Sequence, residues 1–209
     1  MTGFTSKLLF GLSLSILLIS CGTKQYDIAV DPGSVSPGSH ITSKGKVFSL
    51  LGNPIEIGQR LPTTNLVEAN TMESVDLNGY AGEVLFLSIV PSLDTKVCEA
   101  QTHYLGEEGD KLPAAVKRIT ISRDTPFAQK RFAEEAKLTD IQYLSDYKEG
   151  KFARSIGLLT DGSMLLARSI ILVDKKGVVQ YIQVVPESTK LPDMEKAFTR
   201  AIELADLPN

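Results

Sequence analysis

The 209-residue sequence contains no tryptophan, two cysteines and two histidines, and each shortage closes off a class of function. The histidines, His40 and His103, have no paired metal-ligand spacing, which argues against a histidine-based metal centre. The cysteines, Cys21 and Cys98, cannot build a disulfide-dense scaffold and do not form the C-x-x-C pair that dithiol exchange requires. There is no long basic run, and the formal net charge is −3, so nothing asks for a nucleic-acid partner. The mostly apolar stretch Leu8–Ser20 is too short to span a bilayer comfortably. There are no internal repeats and no second domain boundary. The remaining composition, 43% hydrophobic and 22% charged, is that of one globular domain with extras.

What is present begins with a targeting segment. Lys7 supplies a short basic region, and Leu8–Ser20 has the length of a signal-peptide apolar region. It ends Leu18-Ile19-Ser20-Cys21-Gly22, which resembles a bacterial lipobox. The resemblance implies lipidation of Cys21 and cleavage just before it. The alternatives are an uncleaved anchor, or a plain signal peptide that happens to end in cysteine. Residues 1–20 are then a lipoprotein signal peptide and 21–43 a lipidated, flexible tether rich in Pro, Gly and Ser. Residues 44–209 form the domain. The expected location is the bacterial cell envelope, lipid-anchored to a membrane and facing the periplasm or the cell exterior. With Cys21 carrying lipid, no intrachain disulfide can form and Cys98 is the one free thiol.

The domain alternates strand and helix patterns. Val47–Leu51 and Ile55–Ile57 flank Gly52-Asn53-Pro54, which predicts a β-hairpin. A loop containing Leu61-Pro62 follows. Val84–Val90 is apolar except for Ser88, as expected of a central strand buried on both faces. A helical pattern then carries Val97, Gln101, Tyr104, Leu105 and Leu112 on one side. After a strand at Val116–Ser122, Thr125-Pro126 opens a helix with Thr as N-cap and Pro at the first helical position. That helix is expected to turn Phe127, Ala128, Phe132, Ala133 and Ala136 inward. A short strand at Ile141–Leu144 and a short helix at Lys151–Ile156 follow. Leu166–Val173 and Val178–Val185 read as strands around Asp174-Lys175-Lys176-Gly177. The last helix places Met194, Ala197, Phe198, Ala201, Ile202 and Ala205 on its apolar face. The order implies an α/β, thioredoxin-like three-layer fold with a mixed central sheet and an N-terminal β-hairpin.

Cys98 stands on the first turn of the helix that follows the central strand. There the unpaired N–H groups and the positive end of the helix dipole favour a thiolate, the reactive form. Its partner at the C-x-x-C position is Thr95, so it cannot shuttle a dithiol alone, but it can attack an electrophile.

Pro91, Thr95 and Cys98 match the P-x-x-x-T-x-x-C motif of peroxiredoxins. The run Val90-Pro91-Ser92-Leu93-Asp94-Thr95 with Val97-Cys98 resembles the bacterial thiol peroxidase subfamily. Asp124 with Pro126-Phe127-Ala128-Gln129, Leu144-Ser145-Asp146, Leu166-Ala167-Arg168 and Val185-Pro186-Glu187 agree with it. The resemblance runs from about Lys46 to Leu204. It implies that Cys98 is a peroxidatic nucleophile attacking hydrogen peroxide or an organic hydroperoxide. Thr95 and Arg168 would hydrogen-bond the sulfur and the peroxide, and Pro91 would wall the pocket. No metal or other cofactor is implied, and a homodimer is. The subfamily usually carries a resolving cysteine where this chain has Ala133, so the resemblance implies resolution by an external thiol, either a thioredoxin-like protein or a small thiol. The loop Gly157–Leu166 is also a few residues shorter than in typical members. Two other functions stay open: a peroxide-sensing adaptor, and a non-catalytic surface lipoprotein on the same fold. Taken singly, Arg168 would be an ordinary strand residue, Thr95 a helix cap, and Lys130, Arg131 and His103 solvated surface.

Overall fold

The computed structural model describes residues 27–208. His40–Ser43 (β1) pairs with Lys46–Leu51 (β2) in an N-terminal hairpin. Its turn residues Lys44 and Gly45 have φ of 49° and 80°, the double positive φ that a two-residue type I′ turn needs. A second hairpin, Asn65–Glu68 (β3) and Ser74–Asp76 (β4), precedes the strand Val84–Ile89 (β5). Then come Lys96–Glu107 (α1), Val116–Ser122 (β6), Pro126–Ala136 (α2) and Gln142–Ser145 (β7). Lys151–Ser155 (α3), Leu159–Thr160 (β8), Ser169–Val173 (β9), Val179–Val184 (β10) and Met194–Asp206 (α4) complete the order.

Seven strands form a mixed sheet in the order β10-β9-β5-β6-β7-β3-β4, and β1-β2-β8 form a smaller one. The pairs β5–β6 and β6–β7 are parallel; β9 lies antiparallel to β5. Every residue of β5 is buried, and its alternation sorts the two layers. Leu85, Leu87 and Ile89 pack with Ile41, Leu50 and Phe152, from the small sheet and α3. Val84 and Phe86 pack with Leu105, Ala133 and Phe198, from α1, α2 and α4. Each such side chain contributes about 1.5–3 kcal/mol when fully buried. The result is the expected α/β three-layer fold with a mixed sheet and an N-terminal hairpin.

Several local expectations differ. The hairpin is real, but β2 pairs with the preceding β1 and not with Ile55–Ile57. Gly52-Asn53-Pro54 instead docks on the end of α3, where Asn53 N donates to Arg154 O at 2.7 Å. A Cβ at Gly52 would lie 2.0 Å from that carbonyl, so only glycine fits the approach. The stretch between Leu61 and Val84 holds β3 and β4, which are too short to show a period. On α2, Pro126, Gln129 and Ala133 are buried, whereas Phe127 is 69% exposed. The Thr125 cap, accepting from Ala128 N, sets the helix so that Phe127 turns outward. Phe132 and Ala136 are half-buried against the core. His103 is buried at 7% exposure, its ring edge on Phe132 and its nitrogens facing Glu99 and Glu107. It was expected at the surface; α1 is covered over more than one face.

Part of the stretch expected as a tether, 21–43, is packed on the domain. Val30 bridges to Leu191, Val35 N donates to Val184 O at 3.0 Å, and Gly38 N donates to Gly157 O at 2.8 Å. The reason is the sheet edge: β10 is an outer strand whose free backbone groups need partners, and this non-periodic segment supplies them. The packed domain therefore begins before residue 44. Residues 1–20 and Cys21 lie outside the described residues. Among the described residues, no helix is long and apolar enough to cross a membrane.

Candidate active site

The sheet register creates the site. Ile89, the last residue of β5, pairs with Ser169, the first of β9, so the chain leaving β5 passes beside Arg168. That chain runs through Pro91–Asp94 and enters α1 with Thr95 at the N-cap position, extended at φ −124° and ψ 142°. Cys98 follows within the first turn of α1 and is fully buried.

Two donors converge on its sulfur. Thr95 Oγ1 lies 2.9 Å from Cys98 Sγ, and Arg168 Nη2 lies 3.3 Å from it. Thr95 makes no side-chain cap bond to the helix, so its hydroxyl is free for the sulfur and for Ser92 O at 3.2 Å. Arg168 is only 2% exposed. Its other nitrogens donate to Gln101 Oε1 at 2.8 Å and Ser188 O at 3.1 Å. Among the described residues, no carboxylate pairs with this guanidinium. A buried cation is costly unless it is hydrogen-bonded, and the acceptors around this one are Ser188 O, Gln101 Oε1 and Cys98 Sγ.

The support behind these residues is polar and buried. Gln101, one turn beyond Cys98, accepts from Arg168 and donates to Ser88 Oγ at 2.9 Å, linking α1 to β5 and β9. The loop before Thr95 is held by Asp124: its carboxylate accepts from Ser92 Oγ and Leu93 N, each at 2.7 Å, and from Ser122 Oγ at 2.8 Å. Ser122 Oγ in turn accepts from Gln129 Nε2 at 2.9 Å, tying in α2. Behind Arg168, Glu187 braces the β10–α4 loop. Burial pushes its carboxyl up, but hydrogen bonds from Thr42, Thr189 and Lys44 outweigh that and hold it below the usual 4.5.

A cleft of about 390 Å³ opens onto this arrangement. Pro91, Thr95, Val97 and Arg168 line it, and Ile41, Phe48, Leu165 and Leu166 give it apolar walls. Thus the structure brings Cys98, Thr95, Pro91 and Arg168 together. Ala133 is buried in the same apolar cluster as Cys98. Cys21 lies outside the described residues. Sequence reasoning does not single out Gln101, Ser88 or Ser188. Ser88 carried a readable signal, since a lone hydroxyl inside an apolar strand needs a buried partner. Ser188 contributes a backbone carbonyl and left no signal at all. Among the described residues, no cluster of His, Cys, Asp or Glu could hold a metal ion.

Comparison with known proteins identifies the family. The family model described as Redoxin matches residues 56–198. The thiol peroxidase of Halalkalibacterium halodurans is 38% identical over 161 residues, covering 77% of this chain and 96% of that protein. The thiol peroxidase of Bacillus subtilis is 36% identical over 163 residues, covering 78% and 96%. The crystal structure of a peroxiredoxin-like protein from Aquifex aeolicus superposes with a TM-score of 0.71 at 30% identity, covering 79% of this chain and 96% of that one. With identities above 35% over nearly the full length of its relatives, the chain belongs to the Redoxin family and, within it, to the bacterial thiol peroxidases.

Proposed function

We propose that the protein reduces hydroperoxides through Cys98 alone, with an external thiol completing each cycle, and that it works from a lipid anchor in the cell envelope. The observation that carries the reading is the convergence of Thr95 Oγ1 and Arg168 Nη2, two residues that line the cleft, on Cys98 Sγ. The thiolate attacks one peroxide oxygen; the S–O bond forms as the O–O bond breaks. The leaving alkoxide or hydroxide takes up a proton, giving alcohol or water, and Cys98 becomes a sulfenic acid. Thr95 and Arg168 donate to the sulfur and to the oxygens on which charge develops. The apolar walls favour a hydroperoxide with an apolar substituent over hydrogen peroxide.

Ala133, at the position of the family's resolving cysteine, supports the one-cysteine cycle. An external thiol condenses with the sulfenic acid, releasing water and leaving a mixed disulfide. A second thiol then breaks it, giving an external disulfide and free Cys98. The lipobox-like sequence ending at Cys21 supports the anchor and an envelope location facing the periplasm or exterior. The subfamily resemblance supports a homodimer. Peroxide consumption with dithiothreitol should vanish in Cys98→Ser; equal consumption by both proteins would sink the proposal. Intact mass after one equivalent of peroxide should show one added oxygen on the chain, removed by added thiol. A peroxide-sensing role is favoured only if that oxygen persists and a single partner protein is captured as the mixed disulfide.

A further inference from the structure

Arg168 is steadied from behind by one backbone carbonyl. Its Nε donates to Ser188 O at 3.1 Å, within the loop 185–192 between β10 and α4. The N-terminal chain grips this loop at both ends. On one side of Ser188, Thr42 N donates to Pro186 O at 2.7 Å and Ser188 N donates to Thr42 O at 2.8 Å. On the other, Asp31 N donates to Leu191 O at 2.8 Å and Leu191 N donates to Ala29 O at 2.9 Å. Lys190 Nζ also lies 3.6 Å from Asp31 Oδ2. Between these grips the same chain is fastened to β10 just ahead of the loop. Val35 N donates to Val184 O, and Val184 N donates to Ser34 Oγ, each at 3.0 Å. Gln183 Nε2 donates to Asp31 O at 2.8 Å and Gly33 O at 3.1 Å.

We propose that residues 29–38 are a positioning element of the peroxidase site, bracing β10 and the Leu191 end of the β10–α4 loop, whose Pro186 end β1 holds through Thr42, so that Ser188 O fixes Arg168 against Cys98. The strap precedes the 56–198 stretch that the Redoxin family model matches. The guanidinium is planar, and its three acceptors (Ser188 O, Gln101 Oε1 and Cys98 Sγ) fix its plane. Loosening the first lets the fork turn about its stem. A misplacement near 1 Å at a reacting centre costs up to about a hundredfold in rate. No residue of the strap bonds the sulfur or lines the cleft, and its route to Arg168 is through β10 and the loop. The inference rests on the peroxidase reading for its meaning, but its test does not.

In the full chain, Asp31→Pro and Val35→Pro each delete one N–H that the loop or β10 accepts. The readouts are the second-order rate constants of Cys98 with hydrogen peroxide and with iodoacetamide. They are measured on protein shown to be folded by circular dichroism, in the wild-type and Arg168→Lys backgrounds. The expected result is about a tenfold loss toward peroxide and a several-fold change toward iodoacetamide in the wild-type background, with little change once Arg168 is replaced. Unchanged rate constants in the folded variants, whatever their melting temperature, would show that the strap only stabilises. Equal losses in both backgrounds would show that it does not act through Arg168. If the proline variants do not fold, Ser34→Ala and Lys190→Ala each remove one contact and should give about a twofold to threefold loss. No loss from either overturns the proposal. If wild type does not react with peroxide, the functional reading fails while the iodoacetamide comparison still decides the role of the strap.

Discussion

Gln101→Leu tests the buried bridge that joins the cysteine helix to the central sheet. The substitution keeps the side-chain volume but removes the acceptor for Arg168 Nη1 and the donor to Ser88 Oγ. Gln101 and Ser88 are fully buried and Arg168 is 2% exposed, so water cannot readily replace either bond. An unsatisfied buried group costs about 1–3 kcal/mol, more when charged. The guanidinium and the hydroxyl together should then lower stability by about 2–4 kcal/mol, a large part of the ~5–15 kcal/mol of an ordinary domain. Arg168 keeps its bonds to Ser188 O and Cys98 Sγ, so the rate of sulfenate formation should fall by about tenfold and not vanish. Adding Ser88→Ala removes one of the two orphaned groups and should restore about 1 kcal/mol. Urea unfolding gives the stability, and stopped-flow oxidation of Cys98 gives the rate. A Gln101→Leu protein within about 0.5 kcal/mol of wild type and equally fast would refute the account, because the bridge would then be neither stabilising nor orienting.

Thr95→Val keeps the shape and removes the 2.9 Å donor to Cys98 Sγ; since Thr95 is exposed and caps nothing, the peroxide rate constant should drop up to about a hundredfold with little change in unfolding midpoint. Ala133→Cys places a thiol in the apolar cluster that holds Cys98, and peroxide should then yield an intrachain disulfide, seen as a faster band on a non-reducing gel and the loss of two hydrogens by intact mass. Glu187, held below its usual 4.5 by hydrogen bonds that outweigh burial, contributes stability that is present above that value and lost as pH falls through the lowered one. Urea midpoints followed from about pH 6 to pH 3 should therefore fall more steeply in wild type than in Glu187→Gln.

The parts of the fold that could be read from the sequence are those whose pattern is driven by burial on one or both faces. Val84–Ile89 reads as a central strand because both its faces enter apolar clusters, and Met194–Asp206 reads as a helix because one face does. The β3–β4 hairpin was not legible, because three or four residues are too few for a period to emerge. The strap was not legible for a different reason. Asp31, Gly33 and Ser34 hold their place with backbone groups and short polar side chains, and composition cannot tell such a segment from a free linker. In the site, Cys98, Thr95 and Arg168 were legible as chemistry, whereas Gln101 and Ser188 act by orienting Arg168. One looks like an inward helix position and the other works through its carbonyl.

Burial of Cys98 sets a constraint on how its cycle can close. Cys98 is 0% exposed, and the two side chains that bond its sulfur, Thr95 and Arg168, line the cleft from which a substrate would approach. A hydroperoxide group is small enough for that approach, and so is a small thiol. A thiol on the surface of a folded protein meets a fully buried sulfur and needs the site to open first. Among the described residues Cys98 is the one cysteine, and Ala133 in its apolar cluster offers no thiol to carry the oxidising equivalent outward. Under the proposed one-cysteine cycle, the reductant is then a small thiol that fits the cleft, or a protein that engages after the first turn of α1 opens. The two differ in a measurable way: reduction by a small thiol should slow with thiol bulk, while reduction by a protein should be limited by a unimolecular opening step and saturate with reductant concentration.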